Sequence, residues 1–284
     1  MSKLEQYLTK QDVNSLKTMK QAIHQNQITV TCVGLYNHGK STLLNVLIKD
    51  FKYKTFKTAD ARETTLNKAV IYNNIKYVDT PGLNAQKEDD KKVMEAVQNS
   101  DITLFVHTIT TGEFNKKEIE FLNNIKQYWE NPQEFIERTI FVLSRIDNIG
   151  NSEDVEKTSK RMKEQIKHIF DNDCLIIPIS STDYTEGMVE NEEELISESN
   201  VKILEEKINF LSEQSKEAII KTKRKRFEDK FDKLQLKLNK KLQFNQKKIK
   251  KLKEEQTKKD IELKNDLSKI ENTLKSMYQR LEGI

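Results

Sequence analysis

The feature that most restricts this chain is a stretch at residues 28–48 that passes from strand to glycine-bounded loop to helix. Ile28–Gly34 is apolar or β-branched at nearly every position, and Ser41–Ile48 carries a helical apolar pattern. Between them Gly34-Leu35-Tyr36-Asn37-His38-Gly39-Lys40-Ser41 matches G-x-x-x-x-G-K-S/T. A buried strand that feeds a helix through such a turn belongs to an open, mostly parallel sheet covered on both faces. The loop also has its own chemistry. Its backbone N–H groups and the positive end of the helix suit a phosphate, Lys40 reaches β- and γ-phosphate oxygens, and Ser41 offers a hydroxyl to Mg2+. Gly34, Asn37, His38, Gly39, Lys40, Ser41 and Thr42 are thus candidate ligands, with His38 read as a loop residue set by backbone geometry and not as a base.

Further strand-like runs follow at Lys68–Tyr72, Ile75–Asp79, Ile102–His107, Thr139–Ser144 and Cys174–Ile179, with helical patterns separating most of them. The two runs flanking Asn73-Asn74 read as a hairpin, which adds one antiparallel edge strand. The expected fold is α/β, a doubly wound mixed, mostly parallel sheet. Residues 27–213 form that domain, residues 1–26 an N-terminal helix, and residues 214–284 a basic helical stalk or coiled coil. The acidic insert Thr182–Ser199 reads as an exposed loop and Val201–Leu211 as the closing helix. The N-terminal stripe Leu16, Met19, Ile23, with Leu4, Tyr7 and Leu8 before it, needs an apolar neighbour, expected around Leu204, Ile208, Leu211 and Ile219.

No glycine falls between Gly187 and Gly283 and no proline after Pro178, so nothing forces the helix to end there. Phe227, Phe231, Leu234 and Leu238 have 4-3-4 spacing, and Leu263, Leu267, Ile270, Leu274, Met277 and Leu281 continue it as 4-3-4-3-4. These are coiled-coil seams. The weaker pattern through Leu242, Ile249 and Leu252 leaves open a straight helix, a stutter, or a hairpin near Asn245 or Thr257. Hydrophobic residues make up only 36% of the chain against 33% charged, a balance explained if the tail lacks a core of its own. From Lys216 to Lys259 there are 18 Lys or Arg against 6 Asp or Glu, a local +12 in a chain of net +4. Such a segment suits an anionic surface or stands as a solvated helix face. Cys32 and Cys174 lie in apolar runs without metal-ligand spacing, which reads as buried thiols in a reducing, cytoplasmic setting. With no apolar run near the roughly 20 residues of a membrane span, membrane contact is expected to be peripheral, at the inner face.

Three later motifs stand in register with the loop. Asp79-Thr80-Pro81-Gly82 ends the third strand, where Asp79 can hold a Mg2+-bound water and the Gly82 amide can approach a γ-phosphate. Arg62-Glu63-Thr64-Thr65 precedes the second strand, and Ser144-Arg145-Ile146-Asp147 closes the fifth. Together they resemble the translation-factor-related P-loop GTPases. The resemblance implies GTP and GDP as ligands, and GTP hydrolysis as the activity. It makes Thr65 a Mg2+ ligand and switch residue, with Thr64 still open, and has Asp147 accept from guanine N1 and N2 under Arg145. Ser144 stands where the family has Asn or Thr, Arg145 where it has Lys, and Ser180-Ser181 where it reads guanine O6 through a backbone N–H. Leu83 replaces the water-orienting glutamine of Ras-like members, which implies slow basal hydrolysis until a partner, backbone or cation completes the site. Lys40, Thr65, Gly82 and Asn37 are the candidate catalytic set, Asn37 because resembling families that use K+ carry asparagine there.

Helices on both sides of the nucleotide domain favour a similarity to small bacterial dynamin-like GTPases. That similarity implies a homodimer through the nucleotide domains or a second related chain completing a bundle, and an anionic membrane surface as partner. The chain departs from the pattern in having no obvious returning helix or hydrophobic tip. An Era-like ribosome- or RNA-associated GTPase competes, although few aromatics in the tail weaken sequence-specific RNA reading. A GTP-controlled scaffold with little hydrolysis is the third class.

Overall fold

The computed structural model describes residues 8–24, 27–56, 68–83, 87–128, 131–149, 151–214 and 216–282. The chain divides into two compact units, one of Ala22–Thr222 and one combining Met1–Gln21 with Lys223–Ile284.

In the first unit six strands stand in the order β2-β3-β1-β4-β5-β6, namely β1 (Ile28–Val33), β2 (Lys68–Tyr72), β3 (Ile75–Asp79), β4 (Ile102–Thr108), β5 (Thr139–Ser144) and β6 (Leu175–Ile179). All neighbours are parallel except β2 and β3, which pair antiparallel. Their turn places Asn73 and Asn74 at φ 47° and 62°, the left-handed pair a two-residue hairpin needs. The expected mixed doubly wound sheet is therefore present, with its edge hairpin.

Strand alternation sends side chains into two apolar layers. Val30, Cys32, Leu104, Val106, Ile140 and Val142 face a core shared with α2 (Lys40–Leu47), α7 (Ser181–Glu190), α8 (Glu193–Glu198) and α9 (Val201–Gln214). Val33, Phe105, Phe141 and Leu143 face α3 (Lys87–Gln98), α4 (Lys116–Tyr128), α5 (Pro132–Glu137) and α6 (Ser152–Phe170). Because β1 is followed on one side by β3 and on the other by β4, the strand order reverses at its carboxyl end. A crevice opens at such a switch point, and the phosphate-binding motif begins there.

The acidic stretch at 182–199 corrects its reading as a loop. It forms α7 and α8, with Tyr184, Gly187 and Ile196 buried. A Cβ on Gly187 would sit 2.8 Å from Ile196 Cγ1, so the two short helices meet where only glycine fits. Their charges lie on the exposed side, which is why composition hid two amphipathic helices. Cys174 also differs from expectation, lying just before β6 and half-buried, whereas Cys32 is fully buried.

In the second unit, residues of α1 (Lys10–His24) join those of α10 (Lys216–Glu282). Thr9 caps α1, accepting from the Asp12 amide at 3.1 Å and donating to the Asp12 carboxylate at 2.8 Å. Leu8, Val13 and Leu16 pack with Leu234 and Leu238, and Asp12 pairs with Lys237 at 3.6 Å. The partner foreseen for Leu16 is thus corrected, since Leu204, Ile208 and Ile219 belong to the core of the other unit. Leu4 and Tyr7 lie outside the described residues. α10 runs unbroken for 67 residues, about 100 Å of helix, so neither hairpin site is used. Its seam residues Leu242, Ile249, Leu252, Leu263, Leu267, Ile270, Leu274 and Met277 are exposed. No helix among the described residues is long and apolar enough to cross a membrane.

Candidate functional site

Gly34 leaves β1 at φ 150°, where an added Cβ would lie 2.1 Å from the Val106 carbonyl oxygen. The loop then uses left-handed backbone at Asn37 (φ 62°) and Gly39 (φ 89°) before α2 begins at Lys40. Asparagine tolerates that conformation better than most residues, so loop geometry alone accounts for the residue type at position 37. Asn37 is exposed and Lys40 buried. Lys40 Nζ donates to the Leu35 carbonyl at 2.8 Å and so closes the loop on itself. Burial lowers the Lys40 pKa, with the charge of Asp79 opposing the shift.

Ser41 Oγ donates to Asp79 Oδ2 at 2.7 Å. Burial raises the Asp79 pKa, against the hydrogen bond from Ser41 and the charge of Lys40. The second oxygen, Oδ1, is buried with no hydrogen-bond partner. A hydroxyl beside a carboxylate with an unsatisfied buried oxygen fits a hard divalent cation such as Mg2+, which Ser41 and Asp79 would hold. After β3, Thr80 Oγ1 donates to the Cys32 carbonyl at 2.8 Å and the Leu83 amide to the Gly34 carbonyl at 3.1 Å. Gly82 lies directly against the loop, since a Cβ there would fall 2.8 Å from the Tyr36 nitrogen. Leu83 is buried. Thr64 and Thr65 lie outside the described residues.

The segment after β5 meets the loop directly. Ser144 Oγ donates to the His38 carbonyl at 2.8 Å and lies 3.1 Å from that of His107, which places its side chain on the loop. Arg145 takes a left-handed φ of 63°, and the turn Ile146–Asn148 then presents Asp147 exposed. Burying Arg145 and Asp147 in the protein would have made them unavailable to a ligand; both remain accessible. Ser180 caps α7 by accepting from the Asp183 amide at 3.0 Å, while its own amide donates to the Ser199 carbonyl at 3.0 Å. The backbone donor expected at Ser180-Ser181 therefore narrows to Ser181, in the first turn of α7, where amides have no intrahelical acceptor.

Three groups escaped the sequence reading. Asn45 of α2 exchanges two hydrogen bonds with the Phe56 backbone, at 2.6 and 2.8 Å, and anchors the segment leaving the helix. Glu118 and His107 form the other two, and they change the reading of His38. All three side chains are buried, with Glu118 Oε1 2.8 Å from His107 Nδ1 and 3.4 Å from His38 Nδ1. Burial alone would raise the Glu118 carboxyl, but the hydrogen bond and charge of His107, with His38 beside it, hold it at about 2. The signal was present in Asn115-x-x-Glu118, a helix-capping pattern, and in a histidine ending an apolar strand.

Comparison with known proteins agrees with this geometry. Residues 29–145 match the family described as 50S ribosome-binding GTPase. An uncharacterised protein of Acinetobacter baylyi is 32% identical over 176 residues, covering 61% of this chain and 39% of that protein. The tRNA modification GTPase MnmE of Thermosipho melanesiensis is 29% identical over 133 residues, covering 44% of this chain and 29% of that enzyme. The chain thus spans two fifths or less of these two relatives. Among solved structures, the bacterial dynamin GTPase LeoA from ETEC shares the fold with a TM-score of 0.56 at 13% identity, covering 82% of this chain and 43% of that one. The loop, the Ser41–Asp79 pair and the sequence match over residues 29–145 agree on the fold of a P-loop GTPase.

Proposed function

We propose that the chain binds GTP and GDP with Mg2+, hydrolyses GTP to GDP and phosphate, and passes its nucleotide state to a helical unit in the manner of dynamin-like proteins. The observation that carries the nucleotide reading is the bond from Ser144 to the His38 carbonyl, which fixes the Asp147 turn to the phosphate loop. Asp147 then accepts from guanine N1 and N2, Arg145 covers the base, and the Ser181 amide meets O6. Gly34, Asn37, His38, Gly39, Lys40, Ser41 and Thr42 hold the phosphates, mainly through backbone. Ser41 and Asp79 would hold Mg2+, which would supply positive charge toward the β- and γ-oxygens. Lys40 covers part of the same charge, and the Gly82 amide and Thr65, with Thr64 as the alternative, close on the γ-phosphate. Leu83 cannot orient water, so basal turnover is slow. Asn37 offers an amide oxygen to K+, and a facing nucleotide domain of a second copy excludes solvent.

The dynamin-like reading is supported by the second unit, because segments from before and after the nucleotide domain pack together in it, Val13 and Leu16 against Leu234. The basic face of α10 is then the contact for an anionic membrane surface. An Era-like, ribosome- or RNA-associated role is favoured instead by the description of the matching family and by the same lysines. Equilibrium binding decides the nucleotide reading. GDP and GTP should bind, ATP should not, and Asp147→Ala should weaken guanine nucleotides by at least about 2 kcal/mol through loss of a charged acceptor. Equal affinity for ATP would remove the reading. Co-sedimentation of nucleotide-loaded protein with anionic vesicles or with ribosomes separates the two roles.

A further inference from the structure

We propose that His38, His107 and Glu118 form a binding site for a divalent transition-metal ion of the zinc class, set behind the phosphate loop and separate from the Mg2+ position at Ser41 and Asp79. One ligand atom from each lies within 4.8 Å of the others, and all three residues are buried. The His38 and His107 ring centroids are 5.2 Å apart with planes at 78°. Two imidazoles on one tetrahedral ion, with metal–nitrogen bonds of about 2.0–2.1 Å, have centroids roughly 5 Å apart. Small side-chain rotations bring the donors to bonding distance.

Proton counting points the same way. His107 Nε2 lies 2.7 Å from the Gly112 carbonyl oxygen, which only accepts, so Nε2 carries a hydrogen. In the neutral ring Nδ1 then presents a lone pair to Glu118 Oε1 at 2.8 Å. Two lone pairs at that distance need a cation between them. A proton on His107 satisfies that ring and Glu118 but leaves His38 Nδ1, buried 3.4 Å from Glu118 Oε1, without a well-formed hydrogen bond among the described residues. A metal ion satisfies all three atoms. The surrounding groups are those a ligand set requires, since Gly112 fixes the His107 tautomer and the Asn115 amide donates to Glu118 Oε2 at 3.1 Å. Two imidazoles and one carboxylate suit Zn2+ better than Mg2+, which prefers oxygen, and leave a fourth position for water. The ion would cross-link the phosphate loop through His38, the end of β4 through His107 and the start of α4 through Glu118. Metal loading and nucleotide affinity should therefore alter one another reciprocally.

Chelator-stripped full-length protein, with Mg2+ in excess to fill the oxygen site, is titrated with Co2+ and then Zn2+. One equivalent of Co2+ should give the strong visible absorption of a four-coordinate ion without a thiolate charge-transfer band, and one equivalent of Zn2+ should abolish it. Glu118→Gln and His38→Asn should each weaken Co2+ binding at least roughly 100-fold. The proposal is overturned by an octahedral spectrum, by a thiolate band that assigns the ion to cysteine, by no stoichiometric uptake, or by uptake unchanged in both variants. The wild-type spectrum decides the matter even where a variant does not fold.

Discussion

Gly34→Ala tests whether the carboxyl end of β1 is as tightly built as the geometry requires. Its added Cβ would lie 2.1 Å from the Val106 oxygen, about 1.3 Å short of the 3.4 Å at which ordinary contact begins, and the obstacle is backbone. The φ of 150° adds conformational strain for any L side chain. Strain of this kind costs about 1–3 kcal/mol, and forcing packed strands apart costs about 1–3 kcal/mol more. Together they reach roughly 2–6 kcal/mol, a large part of the 5–15 kcal/mol typical of a folded domain. Gly112→Ala is the matched control, because at φ 78° it carries the strain with nothing within 4 Å of the new Cβ. Stability is read from urea unfolding followed through the fluorescence of the single tryptophan, Trp129. The Gly34 variant should lose at least about 1.5 kcal/mol more than the Gly112 variant, and GDP binding should fall with it. Gly34→Ala within about 0.5 kcal/mol of wild type, or no worse than Gly112→Ala, would refute the packing argument.

GTPase turnover per monomer should rise with protein concentration and with K+ over a larger inert cation, and Asn37→Ala should lose the cation effect. Turnover indifferent to concentration, cation and Asn37 rules out both the facing-domain and the K+ parts of the mechanism. Truncating the tail after Ser215 would also remove Ile219 from the core, so charge replacement is the cleaner test of the basic helix. Changing the exposed Lys240, Lys241, Lys247, Lys248, Lys250 and Lys251 to Gln should reduce sedimentation with anionic vesicles at least roughly 100-fold, at about 1 kcal/mol per surface lysine, and leave GDP affinity unchanged. Undiminished vesicle binding by that variant would make α10 a scaffold and not an anchor.

The parallel strands were legible because burial on both faces leaves an unbroken apolar run, and β1, β4 and β5 are such runs. The phosphate loop was legible because its residues must be contiguous. The His38–Glu118–His107 cluster was not, since three elements supply it and only a histidine ending a strand and a capping glutamate marked it. Residues 182–199 failed for a different reason. Their two helices hold only a few buried positions among acidic ones, and a loop reading follows when net polarity is weighed above spacing. The apolar partner of Leu16 was misplaced because two equally periodic stripes, around Leu204 and around Leu234, were both available, and only packing decides between them.

Carbonyls in and beside the phosphate loop accept from several parts of the domain. Gly34 accepts from the Leu83 amide, Leu35 from Lys40, His38 from Ser144, and Cys32, just before the loop, from Thr80. Each of these bonds uses an oxygen, and a loop whose oxygens are held by its surroundings keeps them turned away from an anion while its amides face it. The same bonds hold together segments that are distant in sequence. A shift of the 80–83 segment pulls on Gly34, and a shift of the turn after β5 pulls on His38 through Ser144. Because the imidazole of His38 points at Glu118 while its carbonyl accepts from Ser144, one residue joins the turn after β5 to the buried cluster. The identity of residue 38 therefore matters through its side chain as well as its backbone. Replacing it with a residue that keeps the loop conformation should alter nucleotide affinity through the link to β4 and α4, even though no atom of its ring need touch the nucleotide.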